Sequence, residues 1–211
     1  MNKKRWLFGA VLIGIFVQFL CVGGMIAQKE WILRNGTLHR FKVRPVDPFD
    51  VMRGRYVQLD FEALGNLVSK TRFERHESVW LRLKKDDAGF SAVETIERES
   101  PEQLNDAIRA RTGWSYDEHV SVTNRVNGQD KVEYRATGRY HVRVDVPFSR
   151  FYMDETLAPE AEWQVAKRGR GAKPAVACVR VLNGRAVLAD LEIDGQPIAA
   201  WLKANAGKDN R

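Results

Sequence analysis

Cysteine is nearly absent from this chain. Its 211 residues hold two, Cys21 and Cys178. Cys21 falls inside an apolar run and Cys178 in a segment that reads as a strand, on opposite sides of a membrane interface, so no disulfide framework can be built. A lone thiol of the Cys178 kind is expected to be buried and inert. The histidines, His39, His76, His119 and His141, are scattered, with no i, i+4 pair and no cysteine pair beside them, so neither a metal site nor another cofactor is expected. A phosphate-cradling glycine loop is missing too: Lys167 to Lys173 is basic and flexible in composition but reads as a solvated loop between a helix and a strand. No serine occurs between Gln28 and Val68, where a membrane-tethered Ser/Lys peptidase would carry its nucleophile, and Ser69-Lys70 adjoin only in sequence.

A large excess of one charge is also lacking. Of 34 basic residues, Lys3, Lys4 and Arg5 precede an acid-free apolar run, which leaves 31 basic against 27 acidic residues beyond Ala27. That balance gives no reason to invoke nucleic acid. No Gly/Ser-rich or Pro-rich linker divides the chain, so residues 32–211 are expected to form one domain behind a membrane segment at 1–31.

The chain does have one long apolar run. Leu7 to Ala27 carries no charge and one strongly polar side chain, Gln18. As a helix rising about 1.5 Å per residue it would match a hydrocarbon core of about 30 Å. Trp6 and Trp31 stand where interfacial aromatics settle, and Lys3-Lys4-Arg5 is expected to keep the N-terminus cytoplasmic and export the rest. The competing reading, a signal peptide cleaved after Gly24, asks for a shorter apolar region. The partner expected first is therefore the lipid bilayer. Ala10, Gly14, Gln18 and Cys21 share one stripe of this helix, which predicts a face for a second membrane helix.

The rest reads as mainly β (α+β): an antiparallel sheet or open barrel with short helices. Strands are expected at Thr37–Val43, Tyr56–Glu62, Val79–Lys84, Phe90–Ile96 and Tyr140–Val146. In the second of these Val57, Leu59 and Phe61 share the core face; in the last, Tyr140, Val142, Val144 and Val146 do, which turns His141 outward. Ala175–Leu182 and Arg185–Ile193 flank Asn183-Gly184, a type I′ hairpin signal, and Asp194-Gly195 marks the next turn. A capping box at Ser100-Pro101-Glu102-Gln103 predicts a helix to about Arg111, and a second helix is expected over Pro159–Lys167. Asp145-Val146-Pro147-Phe148, ahead of Arg150-Phe151-Tyr152, faintly repeats Val46-Asp47-Pro48-Phe49, ahead of Arg55-Tyr56.

The stretch from Pro45 to Phe61 carries the most specific signal. Asp47 can cap a turn begun by Pro48, with Asp50 in its first turn and Gly54 ending it. The sequence Pro45-Val46-Asp47-Pro48…Gly54-Arg55-Tyr56-Val57-Gln58-Leu59-Asp60-Phe61 resembles the signature of the GDYXXLXY family of membrane-anchored proteins. Gly54, Tyr56 and Leu59 match, Phe61 replaces the last tyrosine, and Arg55 replaces the aspartate. The resemblance implies an anchor in a bacterial inner membrane and an exported, periplasmic or extracellular domain. It also implies a possible multi-pass membrane partner, and it implies no particular chemistry.

Two functional readings are consistent with these features. In the first, the exported domain is not an enzyme and works by contact, through the helix stripe and the signature residues Asp47, Asp50, Arg53, Arg55 and Tyr56. In the second it is a hydrolase or transferase whose Asp47, Asp50 and Asp60 converge with Arg53 or Arg55. No catalytic residue is assigned.

Overall fold

The computed structural model describes residues 3–44, 56–126, 129–168 and 173–205. Its first element, α1 (Lys3–Asn35), is one continuous helix, and within it Val11–Asn35 is long and apolar enough to cross a membrane. From Val11 to Trp31 every residue of it is exposed, and a helix that shows apolar side chains on every side is compatible with a membrane span.

The helix does not end in a loose linker. Ile32 is buried in the domain, the Gly36 amide donates to the Ile32 carbonyl at 2.8 Å, and Arg180 Nη1 donates to the Gly36 carbonyl at 2.9 Å. A Cβ on Gly36 would come within 2.6 Å of that Ile32 oxygen and 3.1 Å of the Val181 amide nitrogen. Glycine is what lets the chain turn here from helix into sheet without a gap.

Beyond it runs β1 (Thr37–Arg44), which pairs antiparallel with β10 (Val176–Leu182) from Thr37↔Val181 to Lys42↔Val176. β10 continues into β11 (Arg185–Ile193) through Asn183-Gly184, with φ of 51° and 76°, the two positive values a type I′ turn needs. With β3 (Asp60–Phe61) and β12 (Gln196–Pro197) these strands form a five-stranded sheet, order β12-β11-β10-β1-β3. The second five-stranded sheet has the order β4-β8-β7-β5-β6: β4 (Leu67–Ser69), β8 (Gln129–Asp145), β7 (Ala107–Val126), β5 (Ser78–Lys85) and β6 (Ser91–Glu97). β2 (Tyr56–Gln58) and β9 (Arg150–Tyr152) make a separate two-stranded sheet. Among the described residues the architecture is mostly antiparallel sheet without a closed barrel. Short helices complete it: α2 (Glu62–Gly65), α3 (Ala158–Arg168) and α4 (Ile198–Asn205).

Three phenylalanines join the sheets. Phe41 on β1, Phe61 on β3 and Phe148 in the turn between β8 and β9 are each at most 2% exposed, with ring centroids 5.2 to 5.9 Å apart. Rings at these separations and tilts place edges against faces, as aromatic quadrupoles favour.

Two expectations need correction. The helix foreseen to Arg111 is a single 3-10 turn, Leu104–Asp106, after which β7 begins at Ala107. Ile108, Ala110 and Thr112 are buried while Arg109 and Arg111 are exposed, a period of two, and pairing with β5 outweighs the local capping preference. The strand foreseen over Tyr56–Glu62 is two strands, because β2 pairs with β9 and β3 with β1. The chain changes sheet at Leu59, whose amide donates to the Ser149 carbonyl at 2.9 Å, and Glu62 already opens α2. Val57, Leu59 and Phe61 are nonetheless all buried, as their alternation foretold. The expected strands at β1, β5, β6, β10 and β11 and the helix α3 agree with the sequence reading to within a residue or two.

The hairpin turn also locks the two large sheets together. The Gly184 amide donates to the Leu104 carbonyl, and the Arg109 amide to the Gly184 carbonyl, both at 2.9 Å. A Cβ on Gly184 would collide with the Trp80 ring, whereas one on Gly195, at nearly the same φ (78°), would meet nothing within 4 Å. Gly195→Ala should therefore cost only the backbone term of about 1 kcal/mol, and Gly184→Ala about 2–4 kcal/mol, since Trp80 must also move. Chemical denaturation of the two variants side by side reads the difference.

Candidate binding cleft beside the signature segment

β8 alternates over its last residues, with Val142 and Val144 in the core and His141, Arg143 and Asp145 on the other face. On β7, Thr112 pairs with Val144 and Ser115 with Val142, so three steps on one strand oppose two on the other. This bulge at Gly113-Trp114 re-aims the strand. It sets the Trp114 ring beside Tyr116 (centroids 5.2 Å apart, planes 33°), and Tyr116 stacks on His141 opposite it (5.0 Å, 18°). The outcome is a row of three rings across two strands, and Trp114 and Tyr116 are 52% and 50% exposed. The expectation that His141 leaves the valine face is met.

The facing wall comes from the signature segment. Gln58, Leu59, Asp60 and Phe61, with Leu64 and Gly65 of α2, close a cleft of about 300 Å³ over the ring row, Arg143, Asp145 and Ser149. Asp60 is fully engaged there. One oxygen accepts the Phe61 amide at 2.9 Å, and the other accepts Arg44 Nε at 3.1 Å together with Arg44 Nη2. Two guanidinium N–H groups converging on one carboxylate oxygen make a charge-assisted contact that fixes both groups. Gly65 makes room for it: a Cβ there would lie 2.5 Å from Arg44 Nη1.

Of the signature residues singled out from sequence, Asp47, Asp50, Arg53 and Arg55 lie outside the described residues. Tyr56 is described: its ring is 5.7 Å from that of Tyr152, directly opposite in the β2/β9 register, and the Arg150 guanidinium lies 5.2 Å above it. The faint repeat thus ends in two tyrosines that face each other, although its first half, 46–55, is outside the described residues. Phe61, standing for the family's last tyrosine, is a core ring. On the helix stripe Gln18 and Cys21 are exposed and Gly14 has open space around it; the Ala10 side chain lies outside those described. The ring row and Arg143 were not foreseen. Their signal was there in the period-two runs Trp114/Tyr116 and His141/Arg143/Asp145.

A second cleft of about 730 Å³ is lined by Glu94, Glu97, Glu99, Glu102 and Asp106 together with Arg82, Lys85 and His39. Arg82 pairs with Glu97 at 3.1 Å, and among the described residues no group of three His, Cys, Asp or Glu is placed to hold a metal ion. His39, 1% exposed, accepts no charge easily. Its Nε2 lies 3.0 Å from the Asn105 carbonyl, which can only accept, so Nε2 carries the hydrogen and Nδ1 accepts from the Ser91 hydroxyl at 3.1 Å. Burial lowers its pKa from the ordinary 6.5, opposed by the Asn105 carbonyl and Asp106. Below 6.5 the unfolded chain therefore takes up a proton that the folded chain refuses, and stability falls as pH drops from there towards the lowered folded value. His39→Gln should flatten the stability–pH curve between about pH 7 and 5. Denaturant midpoints across that range check it.

Cys178 is buried in β10, and desolvation, with the Glu192 carboxylate next, pushes its thiol up to about 12. The thiol is inert in the fold. Iodoacetamide at about pH 8 should leave Cys178 unmodified in the native chain and label it once the chain is denatured, as peptide mapping would show.

Among comparisons with known proteins, the model of the GDYXXLXY protein family matches residues 18–191, from within the apolar helix almost to the end of β11. No curated protein and no solved structure matches the chain.

Proposed function

Because the chain belongs to the GDYXXLXY family, we propose that it is a single-pass protein of a bacterial inner membrane whose exported domain works by contact with an integral-membrane partner. The observation that carries this reading is the junction. The apolar helix continues unbroken to Asn35, is buried at Ile32, and is held to β10 through Gly36 and Arg180. Span and domain are thus built as one piece, so any helix packed on the span is presented to the domain in a set orientation. A cleavable leader would gain nothing from such a joint.

Lys3, Lys4 and Arg5 orient the span with its N-terminus in the cytoplasm and the domain outside. Gly14 permits a second helix to approach closely, and the Gln18 amide gains about 1 kcal/mol by finding a polar partner in hydrocarbon. Asp60, a carboxylate of the hydrolytic alternative, is spent on Arg44 and the Phe61 amide, which favours the contact reading.

A photo-crosslinking residue at Gln18 in intact membranes should yield one discrete protein adduct. The same residue at Phe16, on the opposite side of the helix, should not. Equal, diffuse or lipid-only adducts from both positions would refute a specific partner helix.

A further inference from the structure

We propose that the cleft beside the signature segment is a binding site for a neutral sugar ring, held by stacking on Trp114 and Tyr116. The proposal goes beyond the membrane contact above and involves a different surface.

Two large rings side by side, each about half exposed (52% and 50%), are an expense that a folded domain ordinarily avoids by turning them inward. Here the bulge between Thr112 and Ser115 brings Trp114 out beside Tyr116, and the row is extended by His141. Flat aromatic surface of this kind suits a ligand with an apolar C–H face, which a pyranose ring presents. The rim answers the other half of a sugar, its hydroxyls. The carboxylate of Asp145, the guanidinium of Arg143, the amide of Gln58 and the hydroxyl of Ser149 all line the same cleft. These groups offer both donors and acceptors, the planar ones able to grip adjacent hydroxyls in pairs.

Charge and size narrow the ligand. The lining holds two arginines, Arg44 and Arg143, against two aspartates, Asp60 and Asp145, and one of each is already paired with the other. That balance offers a polyanion or a polycation no net attraction. The polar rim equally disfavours an acyl chain, which would leave those groups desolvated without partners. A cleft of about 300 Å³ is at the small end for ligand sites and fits one or two rings rather than an extended peptide.

The test uses the full chain in phosphatidylcholine nanodiscs, because maltoside detergents are themselves sugars. Calorimetric titration is run with four-residue oligomers of β-1,4-glucose, α-1,4-glucose and β-1,4-N-acetylglucosamine, and with inorganic phosphate and spermidine as charged probes. At least one oligosaccharide should bind saturably, with a dissociation constant on the order of 1 mM or tighter. Trp114→Ala and Tyr116→Ala should each weaken it about tenfold or more, and Trp114→Phe should restore part of the loss. Both side chains being half exposed, the alanine variants should keep the parent unfolding midpoint, measured in parallel. The proposal is overturned if no oligosaccharide binds, if binding is unchanged in both alanine variants, or if phosphate or spermidine displaces the sugar.

Discussion

The packing of Phe41, Phe61 and Phe148 is the constraint on which the rest of this structure depends. Each ring comes from a different stretch of chain: the strand that leaves the apolar helix, the signature segment, and the turn that ends the long β7–β8 pair. All are buried to at most 2% exposure and in mutual contact. Loss of one would leave a cavity of ring size, the kind of defect that costs about 3–5 kcal/mol in a core of this density. Because Phe61 is held there, Asp60 beside it is held on the opposite side, within reach of Arg44, and the wall of the cleft is set.

The same logic runs outward in both directions. Towards the N-terminus, β1 carries the order of the phenylalanine cluster back to Gly36 and hence to the apolar helix. Away from it, β8 carries the order into the ring row through its alternation. The described part of the family signature, residues 56–61, supplies core through Val57, Leu59 and Phe61. It offers to solvent one wall of the cleft, through Gln58 and Asp60, and Tyr56 on the rim of the small β2/β9 sheet.

Much of this was legible beforehand where one local rule acted alone. The alternation at Tyr56–Phe61 and Tyr140–Val146, and the Asn-Gly turn at 183–184, each state their own structure because period-two burial and positive φ are local requirements. The helix read at Pro101–Arg111 failed where two rules competed. A capping box argued for a helix, while the alternation of Ile108, Ala110 and Thr112 argued for a strand, and only the presence of β5 decided it. The length of β7 and β8 was missed for a related reason. Among the described residues no third strand pairs with the ribbon beyond Asp117 and Tyr140, so its described side chains there are mostly exposed on both faces and burial left no pattern to read.

By itself the sequence determined that there is one membrane-length helix, that the remainder of the chain is mainly antiparallel β, and to which family the chain belongs. These depend on composition, period and a short motif, which need no neighbours. Only tertiary structure decided that the helix joins the domain without a hinge, that Leu59 carries the chain from one sheet to another, and that Trp114, Tyr116 and His141 stand in a row facing Gln58 and Asp60. Those are relations between residues far apart in the chain. They are set by the register of paired strands and by a one-residue bulge, and neither is written in the properties of any single segment.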